Sequence, residues 1–248
     1  MNTTTPKIAI IGYGSMGKEI ERLAKEQNII VTDIFDFDNK LSDKKYDFDV
    51  AIDFSFPDSV EENLRIISAI KKNLVIGTTG WYQKKEEFAK LICKEGIGVV
   101  YGSNFSIGMQ MFYRIVKNAS HILNSVNGYD IMIHELHHKR KIDSPSGTAN
   151  SLAQIIIEEL DSKNEILTET SKERILPGQL HVTSTRGGEI AGTHTVYIDS
   201  IADTIELTHR AKNRTGFAIG ALEAAKWIFG KKGFFQFTDV MDAILSPL

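Results

Sequence analysis

The stretch KIAIIGYGSMG, residues 7–17, gives the clearest indication of the fold of this chain. It begins with a continuous apolar run from Ile8 to Ile11, which predicts a short buried strand. Three glycines follow in the pattern G-x-G-x-x-G. The apolar residues after them recur at the spacing of one helix face: Met16, Ile20, Leu23 and Ala24. The segment therefore predicts a strand, a tight glycine turn and a helix in direct succession.

This glycine turn is typical of a phosphate-binding loop. Glycines let the backbone approach a pyrophosphate closely, and the free N–H groups at a helix N-terminus favour an anion. The residues predicted to contact a dinucleotide here are Gly12, Tyr13, Gly14, Ser15, Met16 and Gly17. An acidic residue that binds the adenosine ribose is expected about 20 residues further on. Asp36 stands there, directly after the apolar pair Ile34 and Phe35, and Asp33 and Asp38 are alternatives for the same role. A glycine-rich turn that binds nothing is the competing interpretation.

Further strands alternate with helical stripes up to Tyr101, which predicts a parallel sheet covered by helices on both faces. Two polar loops follow later strands of this region, and loops at the carboxyl ends of parallel strands line the ligand crevice. Their predicted cofactor contacts are Gly77, Thr78, Thr79, Gly102, Ser103, Asn104 and Phe105. The same residue types are common in ordinary turns, so loop composition alone leaves that alternative open.

The pattern changes after Asn104. Residues 107–123 predict one long helix, and residues 129–135 alternate like a half-buried strand. Three more strands are predicted at residues 181–185, 193–198 and 204–209, with short linkers that favour antiparallel neighbours. The polar segment 161–173 predicts a surface connection. The fold class is therefore α/β, with a Rossmann-like, doubly wound parallel-sheet domain and a smaller α+β domain that holds a mixed or antiparallel sheet.

Composition limits the function classes. The 248 residues carry a net charge of −3 at pH 7, which argues against a general nucleic-acid-binding surface. No apolar run approaches the roughly 18 residues of a membrane span, and the polar residues 1–7 predict no signal peptide. Cys93 is the single cysteine, which excludes an intrachain disulfide and a cysteine-based zinc site. We expect a soluble, cytoplasmic protein that binds neither nucleic acid nor a membrane.

The most unusual stretch is HELHHKRKIDSPSGTA, residues 134–149. Its first five residues match the zinc motif H-E-x-x-H, which requires a helix. The preceding residues alternate as a strand instead, and four strand steps would separate the two histidines by roughly 13 Å. Because that is too far for one zinc ion to be shared, no metal site is expected.

The same stretch fits an anion site with an acid beside it. Histidine and lysine side chains can donate protons, and arginine and lysine attract carboxylates. Ser146, Gly147 and Thr148 open a predicted helix, whose hydroxyl and N–H groups form a second carboxylate cradle. A small substrate with two carboxylates would suit this layout. A solvated basic turn followed by an ordinary helix cap is the alternative.

The run from His137 to Ala149 resembles the hallmark H-H-x-x-K-x-D-x-P-S-G-T-A of the dihydrodipicolinate reductase family. Further family segments occur in the same order: the glycine loop, DFS at 53–55, GTTG at 77–80, NFS at 104–106 and RGGEIAGTH at 186–194. The resemblance covers essentially the whole chain. It implies that NADH or NADPH reduces a cyclic unsaturated imine dicarboxylate, formed from 4-hydroxy-tetrahydrodipicolinate by loss of water, to tetrahydrodipicolinate in diaminopimelate and lysine biosynthesis.

The resemblance also implies residue roles. His137 is the implied proton donor and Lys141 the second acid, while the roles of Arg186 and His194 stay undetermined. The implied substrate-binding residues are His138, Ser146, Gly147 and Thr148. A homotetramer built through the sheet of the second domain is implied, with the late helix returning to the first domain. The expected domains are residues 1–105 with 215–248 for the dinucleotide, and residues 106–214 for substrate binding and oligomerisation.

Two departures from the family pattern bear on the cofactor. Many members carry arginine where this chain has Ser15, and some carry arginine where it has Phe37. Both differences remove cations that would bind a 2′-phosphate, which leaves Lys18 and Lys40 as substitutes. We therefore expect NADH to be favoured, or both cofactors to be used.

Two other functions are weighed against this reductase. A nucleotide-sensing regulator would keep the fold without the chemistry, and the intact His137 and Lys141 argue against it. A different Rossmann oxidoreductase of an amino or hydroxy acid would explain the glycine loop. It would leave residues 137–148 without a role.

Overall fold

The computed structural model describes residues 5–245, which form seven α-helices and eleven β-strands. In chain order these are β1 (Ile8–Ile11), α1 (Ser15–Glu26), β2 (Val31–Phe35), β3 (Val50–Asp53), α2 (Val60–Ala69), β4 (Asn73–Ile76), α3 (Lys85–Glu95), β5 (Gly98–Tyr101), α4 (Ile107–Leu123), β6 (Asp130–His137), α5 (Gly147–Glu159), β7 (Glu165–Leu167), β8 (Gln179–Arg186), β9 (Thr193–Asp199), β10 (Thr204–Arg210), α6 (Thr215–Ile228), β11 (Gly233–Gln236) and α7 (Phe237–Leu245). They form two compact units. One comprises the residues up to Ile107 and from Arg214 onward, and the other comprises Gly108–Asn213.

The first unit is built on a six-stranded sheet of order β11-β5-β4-β3-β1-β2, in which all neighbours run parallel. Parallel neighbours need crossover connections, so helices cover the sheet, and every residue of β1, β3 and β5 is buried. The predicted doubly wound parallel sheet is confirmed. The strand order reverses between β1 and β3, and ligands of open sheets bind outside the carboxyl ends at such a point.

The two faces of this sheet hold separate apolar cores, as the alternation of strand side chains requires. On one face, Ile8 and Ile10 of β1 belong to a cluster with residues of α1, α6 and α7. On the other face, Ala9 and Ile11 belong to a cluster with residues of α2 and α3. The glycine turn after β1 is thus held between two layers of packed helices.

The second unit carries a five-stranded mixed sheet of order β10-β9-β6-β8-β7. The chain runs from β6 through α5 toward β8, and such a strand–helix–strand connection makes β8 parallel to β6. β9 pairs antiparallel with the other side of β6, and β10 pairs antiparallel with β9. The prediction that β8 and β9 are antiparallel neighbours is therefore wrong, because β6 lies between them.

Three elements differ from the sequence-based expectation. The polar segment 161–173, expected to be a surface connection, contains the short edge strand β7, which pairs with β8. β11 and α7 follow the predicted late helix, and β11 adds a sixth strand beside β5. Within residues 5–245, every helix is too short or too polar to cross a membrane.

Candidate active site

A pocket of about 340 Å³ opens at the carboxyl ends of β1, β3 and β4 in the first unit. Its walls come from the glycine loop and from the loops after β3 and β4. Six predicted cofactor residues line it: Gly14, Ser15, Met16, Gly77, Thr78 and Thr79. Three residues without a predicted contact complete the lining: Phe54, Ser55 and Pro57. The pocket therefore lies where the strand order predicts a ligand crevice.

The glycines of the first loop serve two different purposes. A Cβ at Gly12 would lie 2.5 Å from the Phe54 carbonyl oxygen, and the φ of Gly12 is +89°. A Cβ at Gly17 would lie 2.2 Å from the Gly12 carbonyl oxygen. Gly14 has open space at its Cβ position and precedes α1, whose first turn holds no acidic residue. Gly12 and Gly17 thus shape the turn, while Gly14 exposes a helix N-terminus that favours an anion.

Asp53 organises the loops after β3 and β4. Its buried carboxylate accepts hydrogen bonds from the Ser55 N–H (2.8 Å), the Ser55 hydroxyl (2.6 Å), Asn63 Nδ2 (2.9 Å) and the Thr78 hydroxyl (3.0 Å). Burial raises the pKa of Asp53, and these hydrogen bonds oppose the rise. Because Ser55 and Thr78 both line the pocket, this network fixes two of its walls.

The expected ribose acid lies on an exposed turn directly after β2. Asp36 Oδ1 accepts hydrogen bonds from the N–H groups of Asp38 (3.0 Å) and Asn39 (2.9 Å). Next to it, the Phe37 side chain is 78% exposed and the Phe56 side chain is 57% exposed, with ring centroids 5.6 Å apart. An exposed aromatic pair therefore stands beside Asp36. Of the alternatives, Asp38 shares the exposed turn, whereas Asp33 lies within β2.

The remaining predicted cofactor residues lie in two places: Tyr13 in the glycine loop and four residues in the loop after β5. The Tyr13 hydroxyl donates to the Glu21 carboxylate on α1. Four predicted residues follow β5: Gly102, Ser103, Asn104 and Phe105. The Phe105 side chain is buried against the rings of Phe54 and Phe237, so only its backbone is left for a ligand.

The second candidate site lies at the carboxyl end of β6 in the second unit. The buried face of this strand begins with apolar core residues and ends with two ionisable ones, Glu135 and His137. The sheet register places Arg186 of β8 beside His137, and His194 of β9 beside Glu135. Residues paired in this way share a face of the sheet, so four ionisable side chains converge.

Glu135 and His137 form a buried carboxylate–histidine pair, in which Glu135 Oε2 contacts His137 Nδ1. Arg186 Nη2 donates to the other carboxylate oxygen at 2.7 Å. Burial acts to raise the pKa of Glu135, but hydrogen bonds led by that from Arg186 outweigh it, so the pKa is lowered. Burial lowers the pKa of His137, and Glu135 opposes that shift. The histidine is only 8% exposed.

Lys141, the implied second acid, lies in the turn that follows β6. Its ammonium donates to both oxygens of Asp143, at 2.7 and 2.9 Å, and lowers the pKa of that carboxyl. The positive charge of Lys141 also acts to lower the pKa of His137. The neighbouring His138 is half-buried, and its N–H donates to the Ile190 carbonyl at 2.8 Å.

Three residues at the start of α5 were predicted to bind the substrate, and they differ in burial: Ser146, Gly147 and Thr148. Ser146 is buried, caps the helix with its hydroxyl, contacts His194 Nε2 at 3.1 Å and donates its N–H to Glu135 Oε1 at 3.1 Å. Gly147 is exposed and has open space at its Cβ position, and Thr148 is half-buried. The first turn of α5 holds no acidic residue. The Asp143 carboxylate from the preceding turn interacts with the Gly147 N–H, which helps to lower the pKa of Asp143, as expected of an anion at a helix N-terminus.

One group within residues 5–245 has the geometry to hold a metal ion: Glu135, His137 and His194 place donor atoms within 4.8 Å of one another. The sequence-based expectation of no metal considered only the H-E-x-x-H spacing and did not foresee this group. Arg186 already occupies one Glu135 oxygen, and a cation here would be repelled by Arg186 and Lys141. Burial, together with His137, lowers the pKa of His194 to about 4. We interpret the group as a carboxylate–histidine pair beside a second histidine that is neutral at pH 7.

Sequence reasoning missed the role of Glu135, although its spacing carried a signal. Glu135 and His137 are two residues apart on a strand, so their side chains share a face. Arg186 and His194 reach the same place only through the pairing of β8 and β9 with β6. Their convergence therefore depends on a strand order that the sequence did not predict.

Both parts of the chain match known proteins. Residues 6–105 match the family model described as "Dihydrodipicolinate reductase, N-terminus", and residues 108–241 match "Dihydrodipicolinate reductase, C-terminus". The chain is 37% identical over 243 residues to 4-hydroxy-tetrahydrodipicolinate reductase of Christiangramia forsetii, covering 96% of this chain and 99% of that protein. It is 35% identical over 237 residues to the same enzyme of Buchnera aphidicola, covering 94% of this chain and 81% of that protein.

A solved structure shares the fold. Dipicolinate-bound dihydrodipicolinate reductase from Paenisporosarcina sp. TG-14 superposes with a TM-score of 0.74 at 22% identity, covering 94% of this chain and 98% of that one. Together with the two matched halves and the near-full-length relatives, this likeness places the chain: it belongs to the dihydrodipicolinate reductase family.

Proposed function

We propose that this protein is a 4-hydroxy-tetrahydrodipicolinate reductase of diaminopimelate and lysine biosynthesis, with His137 as the proton donor to the substrate. The observation that carries the proposal is the buried His137–Glu135 pair in a chain of this family, with Lys141 and the start of α5 following on the same stretch. Neither a nucleotide-sensing regulator nor an unrelated Rossmann oxidoreductase requires that arrangement.

The first unit binds the dinucleotide in this proposal. A bound NADH or NADPH supplies a hydride. Gly14, Ser15 and Met16, which line the pocket at the N-terminus of α1, would hold its pyrophosphate. The Asp53 network holds Ser55 and Thr78 in place, so the wall is formed before the ligand arrives. The loop after β5, with Gly102, Ser103 and Asn104, would offer further contacts for the nicotinamide half.

The second unit binds the substrate and supplies the proton. Reduction of the substrate adds one hydride and one proton, and His137 in its protonated form provides the proton. Lys141 serves as the second acid and as a positive charge for a carboxylate. Thr148 carries the hydroxyl assigned to a substrate carboxylate at the start of α5, where the Gly147 N–H interacts with the Asp143 carboxylate. His138 adds a further polar contact. Ser146 supports the site from within, because its hydrogen-bonding groups are engaged in the protein.

The cofactor preference follows from the turn after β2. Asp36 accepts hydrogen bonds from the ribose hydroxyls of NADH and would repel a 2′-phosphate. Phe37 and Phe56 present an apolar surface beside it and supply no positive charge. Lys18 and Lys40 are the cations nearest in sequence to the two loops. We therefore assign NADH a kcat/KM at least equal to that of NADPH.

The proposed assembly is a homotetramer built through the sheet of the second unit. β10 lies at one edge of that sheet and is largely exposed. Ile201 and Ile205, at the turn before β10 and on the strand itself, are exposed apolar side chains. Sedimentation velocity of the wild type and of Ile205→Lys tests this assignment. A tetramer that the substitution disrupts supports it, and a wild-type monomer contradicts it.

A coupled assay tests the proposed activity. The substrate is generated in the assay by the upstream synthase, and oxidation of NADH or NADPH is followed by the loss of its absorbance. We expect turnover with both cofactors that depends on the synthase product. Absence of turnover with intact NADH binding would favour the regulator, and turnover of an unrelated amino or hydroxy acid would favour the other oxidoreductase.

A further inference from the structure

The carboxylate of Glu135 is held so that only one of its oxygens is directed at His137. Oε1 accepts two hydrogen bonds, from Arg186 Nη2 at 2.7 Å and from the Ser146 N–H at 3.1 Å. Oε2 contacts His137 Nδ1. Two donors from different elements, β8 and the start of α5, therefore fix the orientation of the carboxylate before a substrate binds.

The surroundings of His137 also distinguish its two ring nitrogens. Nδ1 lies against Glu135, while Nε2 lies beside Gly192. A Cβ at Gly192 would lie 2.9 Å from Nε2, and the φ of Gly192 is +153°. The glycine thus leaves space next to Nε2 that any side chain would fill. A carboxylate at one nitrogen sets the tautomer of a histidine, because it accepts a hydrogen bond from that nitrogen and so keeps the hydrogen there.

We propose that Glu135 is the positioning residue of the proton donor: it keeps the proton of Nδ1 and thereby assigns delivery of the transferred proton to His137 Nε2. Arg186 and Ser146 act indirectly, because they orient the Glu135 carboxylate through hydrogen bonds to Oε1. This inference rests on the proposed function for its chemistry, since it specifies the atom through which His137 acts. Its structural content, the tautomer of His137, holds with or without turnover.

The charges around His137 set the direction of the expected pH effects. Glu135 favours the protonated ring, whereas Lys141, Arg186 and burial disfavour it, and His194 faces it from β9 as a neutral ring. Removing the Glu135 charge therefore lowers the pKa of His137. Because a proton donor works only when protonated, the fall of kcat with rising pH moves to lower pH in Glu135→Gln.

The first test uses the wild-type protein and no substrate. Histidine labelled with ¹⁵N on both ring nitrogens, with His137 assigned by comparison with His137→Asn, reports the tautomer by NMR above the pKa. We expect hydrogen on Nδ1 and a bare Nε2. Hydrogen on Nε2 would overturn the proposal, and this result does not depend on whether the protein is a reductase.

The second test compares Glu135→Gln with Glu189→Gln, which alters an exposed carboxylate paired with Arg140. Glu135→Gln should lower kcat at pH 7.5 at least about tenfold, a fraction of the effect of a general acid. It should change the substrate KM and the NADH Kd less than threefold and lower the His137 pKa, whereas Glu189→Gln should change none of these. An unaltered His137 pKa, or equal losses in kcat and NADH affinity, would assign Glu135 a purely structural role. Should Glu135→Gln fail to fold, the wild-type tautomer still decides.

Discussion

The two candidate sites are built by opposite means. The pocket of the first unit is shaped by backbone: Gly12 and Gly17 make contacts that no other residue allows, and the buried Asp53 acts through hydrogen bonds to the loops. The site of the second unit is shaped by charge, with Glu135 and His137 on the same buried strand face. The backbone-shaped pocket suits the binding of an anionic cofactor in a fixed position. The charged site of the second unit suits proton transfer. Adding a side chain at a glycine should therefore disrupt the pocket of the first unit. Removing a charged side chain should disrupt the site of the second unit.

The largest effect is expected from a methyl group at the glycine turn. Gly12→Ala should lower the free energy of unfolding by about 2 kcal/mol or more, because the added Cβ meets the Phe54 carbonyl at a positive φ. It should also abolish NADH binding. Urea unfolding and fluorescence titration with NADH measure the two effects.

Gly14→Ala is the matched control, since its Cβ position is open and its φ is −79°. We expect it to change the unfolding free energy by less than about 1 kcal/mol. Equal destabilisation by the two substitutions would show that close packing at Gly12 does not shape the turn.

Removal of the proton donor should break the second region and spare the first. His137→Ala should lower kcat roughly 10²-fold, the usual scale of general acid catalysis, while the substrate KM and the NADH Kd move less. His134→Ala, three residues earlier on β6 and hydrogen-bonded to Thr185, serves as the control. Steady-state kinetics that show an unchanged kcat for His137→Ala would remove His137 from the chemistry.

The start of α5 sharpens the division between substrate and cofactor. Thr148→Val keeps the shape of the side chain and removes the hydroxyl assigned to a substrate carboxylate. A charge-assisted hydrogen bond is worth about 1.5–3 kcal/mol, so the substrate KM should rise roughly tenfold or more with little change in NADH affinity. Ser151→Ala, one turn further along α5, should leave KM unaltered. A fall in NADH affinity instead would show that Thr148 contributes to cofactor binding, and that its assignment to the substrate is wrong.

The smallest effect is expected at the cofactor turn. Phe37→Arg should shift the ratio of kcat/KM for NADPH over NADH upward by about two- to fivefold, the scale of an exposed ion pair. The shift should be larger at low salt, where exposed charges are less screened. Phe37→Leu, which removes the ring without adding a charge, should not raise the ratio. A strong NADPH preference in the unmodified protein would show that another cation binds the 2′-phosphate.

Most of the first unit, apart from β11 and α7, could be predicted from sequence because its signals are local. The strand, glycine turn and helix at residues 7–26 occupy consecutive positions, and the glycine requirement follows from the turn itself. The parallel sheet follows from alternation of strands and helices. The acids after β2 were ambiguous because the choice depends on where the strand ends, which the structure places at Phe35.

The second unit was predictable only in part because its contacts are distant in sequence. The helix at 107–123 and a strand at 129–135 were evident from periodicity, and the structure extends that strand to His137. The insertion of β6 between β8 and β9 was not evident. Arg186 and His194 reach Glu135 and His137 through that insertion, across about 50 residues of chain. The motif therefore indicated His137, the proposed proton donor, and its partner Glu135 became evident only with the sheet pairing.

The proposed reductase activity is tested most simply by following the hydrogen that NADH transfers to the substrate. The wild-type enzyme is given freshly generated substrate and NADH carrying deuterium on one face of C4, and the product is analysed by mass spectrometry in ordinary water. We expect that one of the two C4-deuterated cofactors transfers one deuterium to the product, and that the second added hydrogen comes from the solvent. A product without deuterium from either cofactor would contradict hydride reduction by this protein.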